Sequence, residues 1–112
     1  MAYDEKLVTR IRGVLASRSG TNDRRMFGGV CFTLRGNMLV GVVGDELMVR
    51  VGPDAYADAL TQLHVREMDF TGRAMKGYVF VGKAAIKTEA GLKNWVNAAL
   101  AFVEELPAKA RK

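Results

Sequence analysis

The sequence predicts an α+β two-layer sandwich, in which an antiparallel meander sheet carries amphipathic helices from both ends of the chain on one face. Three apolar runs, at 30–34, 38–43 and 47–51, are separated only by short turn sequences, a pattern typical of a meander. Apolar residues recur at helical spacing near both ends of the chain, and such helices bury their stripe against a sheet. The predicted order is one helix, three or four strands, a helix, one or two strands and a last helix.

The first predicted elements are a helix and a short strand. The helix is expected over 3–17, where apolar residues follow the i, i+4, i+7, i+8 spacing of one stripe. Poor helix formers come next, and Gly20 is a suitable stop. Residues 24–27 are expected to form a first strand. Gly28 and Gly29 then mark a bend or bulge where a side chain would obstruct the backbone.

The three apolar runs are predicted to be consecutive strands. The run at 30–34 alternates between apolar and less apolar residues, as a half-buried strand does. The run at 38–43 is apolar almost throughout, which favours a central strand. In the third run Glu46, Met48 and Arg50 are expected to face outward, and the residues between them to face the core.

The second half of the chain begins with another helix. It is expected to open at 52–54, because proline suits a first helical turn, with Leu63 on its apolar face. The segment 64–76 is the least regular part of the sequence. A strand between glycines is predicted at 77–82, and a short turn of helix at 83–87.

The last helix has the strongest periodicity. Thr88 is a suitable N-cap, and Pro107 is expected to stop the helix. Its apolar positions cover four turns and are Leu92, Trp95, Val96, Ala99, Phe102, Val103 and Leu106.

Composition predicts a single domain over 1–107 followed by a basic flexible tail at 108–112. The chain has 112 residues, of which 49% are hydrophobic and 26% charged, enough for an independent core. No apolar run approaches the roughly 20 residues that cross a bilayer, and the first residues do not form a secretory signal. A single cysteine, Cys31, allows no intrachain disulfide and suits a reducing compartment. We therefore expect a cytoplasmic protein without membrane contact.

Reaction chemistry is not indicated by any motif. His64 and Cys31 lie in different predicted elements, and no metal-ligand spacing or phosphate-binding glycine loop is found. Cys31 is expected to be a small buried residue, and His64 to end a helix or to be half exposed. The residues therefore predict no enzyme, no metal site and no cofactor.

Basic residues provide the candidate contacts. The net charge is +5, and cations gathered on one face would accept phosphates or an acidic protein surface. The alternative is a solvated rim. The candidate nucleic-acid or partner-binding residues are Arg24, Arg25, Arg73, Lys76, Lys83 and Lys87.

Three parts of the sequence are distinctive when taken together: Met26-Phe27-Gly28-Gly29, the string Met75-Lys76-Gly77-Tyr78, and the last helix from Leu92 to Pro107. In this order they resemble the amino-terminal domain of the TfoX/Sxy family. The resemblance extends from about Tyr3 to Lys109. It implies an α+β domain in bacterial cytoplasm, whose namesake regulators promote expression of DNA-uptake (competence) genes alongside a cyclic-AMP-responsive transcription factor. Those regulators carry a second helical domain, so this chain is similar to the short stand-alone members.

The sequence therefore predicts a non-enzymatic regulatory or interaction module that acts through a protein partner, a transcription factor being one candidate. Direct nucleic-acid binding through the basic residues is the alternative. A small-ligand site in a groove between sheet and helices is a weaker one. Because a sheet has open edges that must be covered, charged or paired, a homodimer is also expected.

Overall fold

The computed structural model describes residues 3–26, 28–68 and 76–107. Within these ranges the chain forms three α-helices, six strands and one short 3-10 helix, in the predicted order. The bounds are α1 Glu5–Leu15, β1 Thr21–Met26, β2 Gly29–Leu34, β3 Asn37–Val43, β4 Glu46–Arg50, α2 Tyr56–Leu60, β5 Val65–Glu67, β6 Tyr78–Val81, the 3-10 helix Lys83–Ile86 and α3 Glu89–Val103.

The strands form one antiparallel sheet, which confirms the predicted α+β class. Their order is β1-β2-β3-β4-β6-β5, so β6 is inserted between β4 and β5. The first four strands are adjacent in the sheet in their sequence order, with two residues between one strand and the next, as in a meander. The first strand is longer than predicted, because it begins at Thr21 rather than near Arg24. The two ends of the sheet are consequently formed by β1 and by β5.

The glycine pair between β1 and β2 is required by backbone geometry. Gly28 has φ +76°, a region that favours glycine. A Cβ at Gly29 would lie 2.0 Å from the backbone oxygen of Val42. The predicted bend is confirmed, and Phe27, which precedes it, lies outside the described residues.

The helix α1 is shorter than predicted at both ends. The Asp4 carboxylate accepts hydrogen bonds from the backbone N–H groups of Lys6 and Leu7, which sets the start of the helix. The last helical residue is Leu15. Gly20, the expected stop, lies instead with φ +85° in the turn that leads into β1.

The helix α3 begins where the sequence predicted. The Thr88 hydroxyl accepts from the backbone N–H of Gly91 at 3.0 Å. The helix ends at Val103, four residues before Pro107, so the proline is not its immediate stop. Arg10 links α1 to the segment just before α3, because its guanidinium donates a hydrogen bond to the carbonyl oxygen of Ile86 at 2.8 Å.

The main core lies between the helices and one face of the sheet, here called the first face. It joins the apolar stripes of α1 and α3 to the inward residues of β2, β3, β4 and β6. Each large side chain buried there contributes roughly 1.5–3 kcal/mol before conformational entropy is subtracted.

A smaller apolar cluster lies on the opposite face of the sheet, here called the second face. It consists of Met48, Met68 and Phe80, with Met38, Val43 and Tyr78 packed against it. Met48 faces away from the main core, as strand alternation predicted. Its side chain is nevertheless buried rather than exposed to solvent, since Met48 is only 2% exposed. Its neighbour across the sheet is Phe80 of the inserted strand β6.

The second helix differs most from the prediction. The residues at 53–55 form a turn, and α2 covers only Tyr56–Leu60. Leu63, expected on its apolar face, lies beyond the helix and is 82% exposed. His64 follows with φ +68°, which turns the chain into β5. The irregular segment thus contains one short strand, and its residues 69–75 lie outside the described ranges.

None of the helices in the described ranges has the length and apolar character needed to cross a membrane. The predicted basic tail at 108–112 lies outside these ranges.

Candidate functional site

Arg24 and Arg25 lie on β1, at the end of the sheet. The strand pairs with β2 in an unbroken register from Thr21 opposite Leu34 to Met26 opposite Gly29. Both arginines are exposed, and neither forms an ion pair or a side-chain hydrogen bond with another described residue. Their charges are therefore available to a molecule in solution.

The two arginines project to opposite faces of the sheet. Arg25 is opposite Val30, whose side chain belongs to the main core on the first face. Arg24 is opposite Cys31, which alternates with Val30 and so points to the second face. Together the two side chains flank the free backbone of β1.

The backbone groups that face away from β2 follow from the hydrogen-bond pattern. The carbonyl oxygen of Gly20 accepts from the N–H of Arg35 at 2.8 Å, and these two residues continue the β1–β2 register. Since hydrogen-bonded and non-bonded pairs alternate in antiparallel strands, the N–H and C=O groups of Thr21, Asp23 and Arg25 point outward. No other described residue forms a backbone hydrogen bond to them.

A hollow of about 310 Å³ lies between α1 and β1. Arg12 of α1 crosses it to Asp23, with Nε 3.0 Å from Oδ2 and a second contact of 3.3 Å to Oδ1. The hydrogen bond and the negative charge of Asp23 raise the pKa of Arg12. Arg12 is therefore the ion-pair partner of Asp23, and Glu5 is the other acid that lines the hollow.

The other predicted contact residues are not gathered beside Arg24 and Arg25. Lys76 precedes β6 and Lys83 follows it, so they lie beyond opposite ends of one strand. Four strand-to-strand steps of about 4.8 Å separate β6 from β1, or roughly 19 Å. Lys87 follows the 3-10 helix beside the start of α3. Arg73 lies outside the described residues.

Lys76, Lys83 and Lys87 are exposed. Whether they contact a partner stays a prediction, but the described candidates occupy at least two separate surfaces.

The groups best suited to nucleophilic or acid–base chemistry are far apart. Cys31 is buried in β2; burial raises the pKa of its thiol, while the charge of Arg24 acts in the opposite direction. His64 is exposed and precedes β5, at the far end of the sheet. Within the described ranges, no group of three or more His, Cys, Asp or Glu residues is placed to hold a metal ion.

Other hollows on the described surface include two that are larger than the one between α1 and β1. One, of about 680 Å³, lies near the end of α3 beside Arg18, Arg35 and Glu104, and the first and last of these form an ion pair. The other, of about 380 Å³, lies between the exposed Leu63 and Trp95 of α3. Both are open to solvent, so they offer surfaces for contact rather than enclosed ligand sites.

Sequence reasoning identified the arginine pair but missed Arg12. This residue lies off the apolar stripe of α1, and nothing in the sequence pairs it with Asp23. The contact arises because the chain reverses at Gly20, which brings β1 alongside α1.

Comparison with known proteins places the chain in one family. The model of the TfoX N-terminal domain matches residues 14–103, from the end of α1 to the last residue of α3. No curated protein and no solved structure matches this chain. The matched region contains the whole sheet, the Gly28-Gly29 bend and the capped helix α3. This chain therefore belongs to the TfoX N-terminal domain family, the family of the competence regulators.

Proposed function

We propose that this chain is a non-enzymatic regulatory module that binds a protein partner and thereby acts on the expression of DNA-uptake genes. Membership of the TfoX N-terminal domain family supports the regulatory role. The observation that carries the proposal is the free edge of β1, whose outward backbone groups are accompanied by the exposed side chains of Arg24 and Arg25, one on each face of the sheet. An open strand edge with charged flanks is a surface for contact with another chain.

The positions of the reactive groups support contact rather than catalysis. Nucleophilic catalysis requires a base within hydrogen-bond reach of the nucleophile. Here Cys31 is buried in the second strand, with a raised thiol pKa, whereas His64 lies beside the opposite end of the sheet.

A genetic experiment tests the proposal. The gene is deleted in its own bacterium, and transcripts of DNA-uptake genes are measured after complementation. The wild-type chain is compared with two doubly charge-reversed variants, Arg24→Glu with Arg25→Glu and Lys83→Glu with Lys87→Glu. Both variants change the net charge equally at exposed positions.

We expect the wild type and the lysine variant to restore the transcripts, and the arginine variant to fail although its thermal unfolding is unchanged. Transcripts that do not respond to the deletion would rule out the regulatory role. Equal behaviour of the two variants would remove β1 as the contact surface.

Direct nucleic-acid binding is the second candidate, and the net charge of +5 favours it. It would use Arg24, Arg25, Arg73, Lys76, Lys83 and Lys87. It has less support, because the described members of this set lie at different places on the sheet. It predicts an affinity for duplex DNA that falls steeply with salt, with both double variants weakened to a similar degree. Absence of a gel shift at low salt would eliminate it.

A further inference from the structure

We propose that the β1 edge, meaning the outward backbone groups of Thr21, Asp23 and Arg25 with the side chains of Arg24 and Arg25, binds an extended acidic segment of a protein partner as an added strand. This inference rests on the proposed function, because it specifies the chemistry of the partner. Strand addition obtains its affinity from main-chain hydrogen bonds and its specificity from alternate side chains.

The backbone of the β1 edge has the geometry that strand addition needs. Three residues, Thr21, Asp23 and Arg25, each present one donor and one acceptor on the side away from β2. The pairing of β1 with β2 contains no bulge, and the strand contains no proline. Bulges, prolines and very short strands are common means by which proteins protect an edge. The β1 edge uses none of these three; its protection is charge, and the charge of Arg24 and Arg25 disfavours an apolar or basic strand but not an acidic one.

The arginine side chains select the charge of the added strand. Arg25 points to the first face and Arg24 to the second. Consecutive residues of an added strand also alternate between faces. Two adjacent acidic residues would therefore place one carboxylate beside each arginine. Asp23 would not repel them strongly, since it is paired with Arg12 at 3.0 Å.

A protein segment fits this edge better than a nucleic acid does. The outward carbonyl oxygens need donors and the outward N–H groups need acceptors, in alternation. A phosphate backbone supplies acceptors only, whereas a peptide backbone supplies both at the required spacing.

A second copy of the chain is the competing occupant. In a symmetric antiparallel pairing, the residue at the centre faces its own copy. Registers centred on Asp23 or Arg25 place like charges directly opposite each other, which is destabilising. A register centred on Arg24 does so too but also pairs Asp23 with Arg25 of the other copy, and one centred on Asn22 places no like charges opposite each other. Amide exchange and light scattering, described below, distinguish a second copy from the acidic segment.

The probe for this inference is a blocked six-residue peptide with two adjacent glutamates between threonine and valine residues. Its matched control carries lysines in place of the glutamates. Binding to the intact protein is measured by calorimetry at about 0.1 M salt, where the Debye length is about 10 Å. We expect the glutamate peptide to bind, and the lysine peptide to bind at least about tenfold more weakly, the scale set by two exposed ion pairs replaced by two repulsions.

Two protein variants locate the binding surface. Arg24→Glu with Arg25→Glu should weaken binding of the glutamate peptide about tenfold or more. Lys83→Glu with Lys87→Glu, which makes the same change of net charge elsewhere, should change it by less than about twofold, because surface charges so distant are largely screened. Equal weakening by both variants would overturn the inference. Comparing the two peptides on the wild-type protein remains decisive if a variant does not fold.

Amide hydrogen exchange, followed by NMR, then separates strand addition from simple charge attraction. The peptide should slow exchange at Thr21, Asp23 and Arg25, whose N–H groups point outward, and leave Asn22 and Arg24 unchanged, because these already bond to β2. Binding without this alternating protection would overturn the inference. So would protection in the free protein together with a doubled mass in light scattering, which would identify a second copy as the occupant.

The two proposals can fail separately. If the peptide binds as described but deletion leaves the DNA-uptake transcripts unchanged, strand addition stands and the regulatory role is wrong. If the transcripts depend on the chain but the peptide does not bind, strand addition is wrong and the regulatory role stands.

Discussion

Two arginines occupy opposite ends of the same row across the sheet, and their surroundings differ. The row begins at Arg24 of β1, passes through Cys31, Gly41, Met48 and Phe80, and ends at Arg66 of β5. Arg66 lies 4.6 Å above the ring of Phe80 and is paired with Glu46. Arg24 has no ion pair among the described residues. One end of the row thus uses its cation within the fold, and the other presents it to solvent.

The backbone edges differ in the same sense. β5 has three residues. The Gly82 N–H donates to the His64 carbonyl oxygen, and this hydrogen-bonded pair continues the register between β5 and β6. Because bonded and non-bonded pairs alternate, Val65 and Glu67 are the residues of β5 whose backbone N–H and C=O groups point outward. β1 has six residues and three outward ones. Short edges invite little pairing. Among the described residues, the β5 end thus offers a short edge whose arginine is engaged within the fold, whereas the β1 edge keeps more outward backbone groups and its cations open to solvent, as the proposed strand addition requires.

The largest expected effect distinguishes the glycines beside the two edges. Gly29→Ala should destabilise the protein by about 4 kcal/mol or more, because its Cβ would lie 2.0 Å from the Val42 carbonyl oxygen and would force β2 and β3 apart. Gly82→Ala should cost about 1 kcal/mol, since its Cβ would lie 3.2 Å from the His64 oxygen. Urea unfolding measures both, and similar values would contradict this difference.

The second prediction tests the apolar support of the β5 end. Phe80→Ala should lower the free energy of unfolding by about 3 kcal/mol, because Phe80 is 5% exposed and packs in the cluster with Met48 and Met68. The control is Leu63→Ala, which should stay within about 0.5 kcal/mol, since Leu63 is largely exposed. Thermal unfolding of both variants measures the two losses of stability. A small loss for Phe80→Ala would mean that this cluster does not stabilise the β5 end.

The third prediction concerns pH and the β1 end of the row. Burial raises the pKa of the Cys31 thiol, so its folded state keeps the proton more strongly than the unfolded state does. The stabilising contribution is complete below the ordinary thiol pKa of about 8.5 and is lost as pH rises through the folded value. The stability difference between the protein and Cys31→Ala should therefore fall by about 1 kcal/mol per pH unit in that window. A difference that is constant with pH would contradict burial as the dominant cause.

Arg24 sharpens this pH prediction. Its charge opposes the effect of burial on the thiol, so Arg24→Gln should move the onset of Cys31 ionisation to higher pH. Ultraviolet absorbance of the thiolate measures the onset. An unchanged onset would indicate that the Arg24 charge does not act on Cys31.

The smallest expected effect compares the two arginines themselves. Arg66→Ala should cost about 1 kcal/mol, because it removes both the contact with Glu46 and the stacking on Phe80. Arg24→Ala should stay within about 0.5 kcal/mol. Unfolding curves of the two variants at low salt measure the loss of stability. A greater loss for Arg24→Ala than for Arg66→Ala would contradict the claim that Arg66, and not Arg24, is used within the fold.

Sequence patterns predicted the elements whose contacts are local. The periodicity of α3, its Thr88 cap and the succession of strands β1 to β4 depend on neighbouring residues, and each is confirmed. The bend at Gly28-Gly29 is confirmed as well, although the close approach that requires Gly29 comes from Val42 on β3. The burial of Met48 was not predictable in this way, because its cover includes Phe80, which reaches it only through insertion of β6 beside β4. The exposure of Leu63 depends on α2 ending at Leu60, which helical spacing alone did not indicate.

The candidate site was predictable to a similar extent. Arg24 and Arg25 are recognisable as an adjacent pair, and they lie together on one strand. The separation of Lys76 from Lys83 was also predictable, because the strand expected at 77–82 lies between them and β6 confirms it. The ion pair between Arg12 and Asp23 depends on the docking of α1 beside β1, a tertiary contact without a sequence signal.

Amide exchange at both edges, with and without the glutamate peptide, tests the central claim most directly. The account predicts slower exchange at Thr21, Asp23 and Arg25 when the peptide is bound, and no change at the outward amides of Val65 and Glu67. Unchanged exchange at β1, or equal protection of both edges, would contradict the claim that β1 is the edge at which this domain binds its partner.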